Sequence, residues 1–196
     1  MPWRPGVATP VVAGSSYDAS CAGGPGSLTP DVLIQHAVPA QRVLLERLLQ
    51  LYLHDFSEFA PRHTSYGEVD AEGLFPYPPG LDSYWQEPDR EPLLIRADGA
   101  VAGFVLVNRW SALDRPLDRA VAEFFVLRKY RRAGVGTRAA HAVFRRHPGR
   151  WEVAVAAYNP AALQFWRRAA GSAPGGVQEH PGDGRRWSGT VLTLTA

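Results

Sequence analysis

From Asp31 onward the chain alternates short apolar runs with longer amphipathic ones, and the two periods predict different elements. DVLIQHAV reads as a first strand. PAQRVLLERLLQLYLHDF predicts a helix begun by Pro39, with Val43, Leu44, Leu48, Leu51 and Tyr52 returning at helical spacing. The stretch SEFAPRHTSYGEVDAEGLFPYPPG carries Pro76, Pro78 and Pro79 and predicts a loop, followed by a short helix in LDSYWQE. PLLIRADGAVAGFVLVNRW then supplies two apolar strands around Asp98-Gly99, a dipeptide suited to a tight hairpin turn. After the polar excursion SALDRPLDR, RAVAEFFVL is a third long strand. TRAAHAVFRRH reads as a helix, RWEVAVAAY as a strand, NPAALQFWRRAAG as a helix ending at Gly171, and RRWSGTVLTLT as a closing strand or pair. This order predicts a mixed α/β layout with a central sheet and helices on its faces.

A chain of 196 residues, 45% hydrophobic and 20% charged, has material for one substantial core. Residues 1–30, rich in Pro, Gly, Ser and Ala without periodicity, are expected to form a flexible leader, leaving 31–196 as the folded domain. No apolar run approaches the roughly 20 residues a membrane span needs, and the N-terminus lacks the order of a secretory signal, so a cytoplasmic address without a membrane partner is expected. Cys21 is the only cysteine, which excludes an internal disulfide and a cysteine-cluster metal site. The histidines, His36, His54, His63, His141, His147 and His180, show no metal-ligand spacing, and no metal is expected. A net charge of +2 is too small to imply a nucleic-acid partner by itself.

One stretch concentrates the basic residues. RKYRRAGVGTR, Arg128 to Arg138, sets five cations around Gly134 and Gly136, between the end of a strand and the start of a helix. A helix start leaves several main-chain N–H groups without partners and pointing the same way, and the helix dipole favours an anion there. Glycines at 134 and 136 remove side chains that would hold a ligand off the backbone, so a diphosphate is the natural guest. No Gly-Lys-Ser/Thr follows, which disfavours a nucleotide P-loop, and a dinucleotide fingerprint needs a third glycine.

Arg131-Arg132-Ala133-Gly134-Val135-Gly136 resembles the Arg/Gln-x-x-Gly-x-Gly/Ala signature of the GNAT family of N-acetyltransferases. AEFFVLRKYRRAGVGT is similar to that family's fourth-strand-to-helix segment. The run Asn159 to Trp166 resembles the helix start after its fifth strand. The resemblance covers roughly residues 31 to 196 and implies the GNAT fold: an α/β architecture whose mixed sheet splays between the fourth and fifth strands, with helices on both faces. It also implies acetyl-CoA as the acyl-donor substrate. The pantetheine arm would lie beside Phe124, Phe125, Val126 and Leu127, extending the strand's hydrogen bonding. The diphosphate would sit on the amides of Arg132, Ala133, Gly134, Val135, Gly136 and Thr137, with Arg131 nearby. Asn159, Phe165 and Trp166 would complete the donor site. A small-molecule or peptide amine is the implied acceptor, and homodimers are common among relatives.

Acetyl transfer needs a neutral amine, a donor for the oxyanion and a proton for the leaving thiolate. The main-chain N–H of Val126 is the oxyanion candidate. Glu123, an acid in an apolar strand, is the candidate base; the alternative is a strand glutamate paired with Arg109 or Arg119. Strand alternation puts it on the face opposite Ala122 and Phe124 unless a bulge intervenes. Relatives often place a tyrosine where this chain has Trp166, whose indole is no proton donor to a thiolate at neutral pH. Tyr158 is the candidate substitute, with packing at a strand end, or a proton from water, as the alternatives. His54, Asp55 and Glu58 with Tyr52, Phe56 and Phe59 suit a cationic acceptor, or else form the two sides of an ordinary amphipathic helix. Tyr77, Tyr84 and Trp85 either cover the acceptor or pin the loop. Two rival readings are an acyl-CoA-binding domain without catalysis and a basic nucleic-acid-binding module.

Overall fold

The computed structural model describes residues 29–59, 67–77 and 80–196; most of the expected leader, Cys21, His63, Pro78 and Pro79 lie outside them. Its core is a sheet of seven strands: β1 (Val32–His36), β2 (Glu91–Ala97), β3 (Ala100–Asn108), β4 (Arg119–Val126), β5 (Arg150–Ala156), β6 (Val177–Pro181) and β7 (Gly189–Thr195). Their order across the sheet is β1-β2-β3-β4-β5-β7-β6, antiparallel throughout except for the parallel pair β4–β5. Four α-helices flank it: α1 (Arg42–Ser57), α2 (Ser83–Gln86), α3 (Val135–Arg146) and α4 (Pro160–Ala170). A 3-10 turn, Pro39–Gln41, precedes α1, and another, Arg128–Tyr130, follows β4.

The hairpin turn between β2 and β3 follows from its two residues. Asp98 and Gly99 both take positive φ, 50° and 78°, which the tight I′-type hairpin turn requires. The Asp98 carboxylate also accepts the main-chain N–H of Asp31 at 2.8 Å, tying the start of β1 to the same turn.

Two apolar clusters cover the faces. α3 and α4 pack on one side over Val105, Val107, Val121 and Val153, while α1 and α2 pack on the other over Leu94, Phe104, Leu106 and Phe125. The buried stripe of α1 differs from the predicted one. Leu45, Leu48, Leu49 and Leu53 are buried, whereas Val43 and Leu51 are 54% and 51% exposed. Leucines occupy so much of this helix that periodicity alone fits more than one face.

The closing pair is formed by β7 within the predicted stretch and by β6 before it, where no strand was expected. VQEHP has little apolar content because β6 is an edge strand pairing only with β7. Its Pro181 stands at the strand end, where a missing N–H is tolerated. Among the described residues no helix is long and apolar enough to cross a membrane.

Candidate active site

The pairing of β4 decides where its acid points. Leu106 lies opposite Glu123, but the next residue, Val107, lies opposite Val121, so Ala122 is an extra residue on β4. This bulge resets the alternation. Ala122 packs with the cluster under α1, and Glu123 reaches the same side, where Tyr52 of α1 and Tyr77 hydrogen-bond its carboxylate. The Tyr77 hydroxyl donates to Oε1 of Glu123 at 3.3 Å. The arginines considered as partners are engaged elsewhere: Arg109 with Asp89 at 3.2 Å, and Arg119 with the main-chain oxygen of Asp118 at 2.9 Å. Burial pushes the Glu123 carboxyl up to about 7, against the two tyrosine hydrogen bonds, which favour the ionised form.

Beside Glu123 the sheet opens. β4 and β5 pair only over Arg119–Val121 and Trp151–Val153; beyond that the two strands separate. Leu127 donates its main-chain N–H to Ala102 at 2.8 Å, so by antiparallel alternation the main-chain groups of Val126 point away from β3 and into the gap. The Val126 oxygen is already taken by Nε of Arg131 at 2.7 Å. Its N–H remains directed at the opening.

The basic turn closes the top of this gap. Arg132 and Gly134 both adopt left-handed conformations, φ 63° and 75°, and an arginine there is strained backbone of the kind found at ligand loops. Gly134 caps α3, and the first hydrogen bond of the helix is Arg138 N–H to the Gly134 oxygen at 3.1 Å. The main-chain N–H groups of residues 132–137 donate to no other described residue. Gly136 has a second reason to be small, since a Cβ there would stand 3.2 Å from the ring of Phe165 on α4. These features fit an anionic ligand: bared N–H groups, a helix N-terminus and a cradle that side chains would fill.

Arg128 and Arg131 are not free to meet that ligand. Both hydrogen-bond Asp55 at the end of α1, Arg128 at 2.7 Å. Burial works against ionisation of Asp55, but these two hydrogen bonds outweigh it and hold its carboxyl below the usual range. Asp55 is therefore committed to arginines rather than to a cationic acceptor, and His54 is exposed.

A cavity of about 540 Å³ runs from this turn along the gap. Of the predicted donor-site residues, Phe124, Phe125, Val126, Arg131, Arg132, Gly134, Gly136, Thr137, Asn159, Phe165 and Trp166 line it. Leu127 packs under α1, Ala133 offers its oxygen to Arg138 at 2.8 Å, and the Val135 side chain is fully buried in the core. Asn159 caps α4 by accepting the Ala162 N–H at 3.0 Å, a role additional to the predicted one. Trp166 is buried with its ring edge-on to Phe124 at 5.0 Å, and its indole N–H has no hydrogen-bond partner among the described residues. Tyr158 lines neither this cavity nor the next; its ring meets Phe56 of α1 at 5.9 Å. Burial raises its hydroxyl pKa, so it stays protonated at neutral pH.

A second cavity, about 220 Å³, opens on the other side of Glu123, with Tyr77, Tyr84, Trp110 and Trp187 in its wall. Tyr84 is buried, with its hydroxyl pKa pushed up to about 12 chiefly by that burial. Trp85 instead pins the loop, donating its indole N–H to the Ala37 oxygen at 2.7 Å. Glu152 of β5 also lines this cavity and was missed in the sequence; like Glu123, it is an acid interrupting an apolar strand.

The profile of the Acetyltransferase (GNAT) family matches residues 45–171, from α1 through the splay to the end of α4. The chain belongs to this family. The acetyltransferase shares its fold with solved structures at low identity. A GNAT-family acetyltransferase from Staphylococcus aureus is 13% identical, with 84% of this chain and 99% of that one covered at a TM-score of 0.55. An acetyltransferase from Thermus thermophilus is 16% identical, covering 84% and 96% at 0.58. A spermidine N-acetyltransferase from Vibrio cholerae, solved with CoA and spermine, is 12% identical, covering 84% and 95% at 0.51. No curated protein matches the sequence.

Proposed function

We propose that this acetyltransferase moves an acetyl group from acetyl-CoA to the primary amine of a small molecule by direct attack, with Glu123 as general base. The observation that carries this reading is the position of Glu123. It lines the small cavity, while its neighbours Phe124 and Phe125 line the large one, so the acid stands where the two spaces approach each other across the splayed strand. A V. cholerae relative in fold was solved with CoA and spermine, which agrees with a small amine as acceptor.

In this reading the large cavity takes the donor. The N–H groups of residues 132–137 and the side chain of Arg132, which has no partner among the described residues, hold the diphosphate, and Asn159 and the Val126 N–H face the pantetheine and thioester end. Glu123 removes a proton from the bound ammonium; the neutral amine attacks the carbonyl, and the C–S bond breaks as the amide forms. A carboxyl with its pKa near 7 exchanges protons readily with its surroundings at neutral pH. The proton that nitrogen sheds as the amide forms passes to solvent, and the leaving thiolate takes its proton from water. The basic turn gives the nucleic-acid reading little support, because Asp55 already neutralises part of it.

The test is thiol release from acetyl-CoA with a panel of small amines, alongside calorimetric titration with acetyl-CoA. Binding with turnover supports the proposal. Binding without turnover of any amine favours an acyl-CoA-binding protein, and no binding refutes the donor site.

A further inference from the structure

We infer that the small cavity behind Glu123 selects an amine bearing a second positive charge, and that Glu152 holds this distal ammonium. The inference rests on the proposed transfer reaction and concerns which acceptors it serves.

Glu152 is a buried carboxylate, only 4% exposed, on the wall of the same cavity as Glu123. Its two oxygens accept neutral donors, the Ser111 hydroxyl and the Ala112 N–H, each at 2.8 Å. It forms no ion pair with any described residue. Removing an ionised carboxylate from water without a counter-charge is costly. Each oxygen keeps a further lone pair with which to accept a donor from a ligand.

The rest of the wall favours a cation as well. Trp110, Trp187 and Tyr77 present aromatic rings, which attract ammonium groups. Arg90, the one cationic side chain among the described residues of the wall, is bound to Glu87 at 2.6 Å and stacks over Tyr84. The segment that donates to Glu152 is itself fixed: Arg186 bonds the Ser111 oxygen at 2.6 Å and lies 5.2 Å from the centre of the Trp110 ring.

Spacing sets the kind of amine. Glu152 pairs in register with Ala120 of β4, and Glu123 lies three residues further along that strand. The two acids are offset by about 10 Å or a little less along the strand, at about 3.3 Å per residue shortened by the bulge, and by one strand spacing of about 4.8 Å across it. A flexible chain of several methylenes with an ammonium at each end spans that interval. One end is deprotonated at Glu123 and acetylated, while the other stays charged at Glu152.

The experiment compares linear α,ω-diamines with n-alkyl monoamines of matching length, using the full chain and acetyl-CoA. Diamines are expected to exceed monoamines at least tenfold in kcat/KM, mostly through KM. Glu152→Gln is expected to bring the kcat/KM of diamines down to that of monoamines of matching length measured on the same variant. The wild-type ratio decides even if that variant folds poorly. Parity between the two amine classes in the wild type, or a diamine preference that survives in a folded Glu152→Gln, overturns the inference and leaves acetyl transfer intact. Failure to turn over either class removes the transfer reaction and this inference with it.

Discussion

The hydroxyl of Tyr77 donates to Oε1 of Glu123 at 3.3 Å, linking the segment after α1 to the bulge in β4. A hydrogen bond to the ionised carboxylate favours loss of its proton, while burial opposes it. Tyr77→Phe removes that help without changing the ring. The acid limb of the kcat/KM profile, expected near pH 7, should move up by about half to one pH unit. An unmoved limb would mean that the group being titrated is not Glu123.

Glu123→Gln should lower kcat by about 10²- to 10⁴-fold, with acetyl-CoA affinity nearly unchanged. It should also alter stability in a definite direction. The folded Glu123 pKa lies above its unfolded value, so its protonated form favours the folded state, and that contribution is lost as pH rises from about 4.5 through about 7. Melting temperatures of wild type and Glu123→Gln should therefore diverge across this window, the variant gaining relative to wild type towards higher pH.

Gly134, at φ 75°, separates charge from conformation in the proposed diphosphate cradle. Asp and Asn are the two side chains that tolerate a left-handed residue and differ chiefly in charge. Gly134→Asp should weaken acetyl-CoA binding at least tenfold more than Gly134→Asn, about 1.4 kcal/mol by calorimetry. Equal affinities would place the anion elsewhere.

Asp55 holds Arg128 and Arg131 against the end of α1, and its carboxyl is kept below the usual range. Asp55→Asn should cost about 1 kcal/mol of stability at neutral pH, a modest figure because the arginines are largely exposed. For a depressed carboxyl this stabilisation is present above the unfolded pKa of about 3.8 and disappears as pH falls through the folded value. The two melting curves should converge in acid.

Trp166 lines the large cavity with an indole that has no proton to give a thiolate at neutral pH, and Tyr158 stands outside both cavities. Tyr158→Phe should retain turnover within about threefold of wild type, since water can protonate a thiolate at an open cavity. A loss of about a hundredfold would instead make Tyr158 the acid.

The order of the strands and helices other than β6, the Asp98-Gly99 turn and the glycine turn that opens α3 were readable from the sequence, because each follows from neighbouring residues: side-chain periodicity, positive φ and the break between a strand and a helix. The face of Glu123 was not readable, because it depends on a one-residue bulge fixed by pairing with β3. Nor were the commitment of Asp55 to arginines more than seventy residues away, the meeting of Glu152 with Glu123 at one cavity, or the polar edge strand β6. Those depend on which distant backbones lie side by side, and hydrophobic periodicity carries no record of the partner.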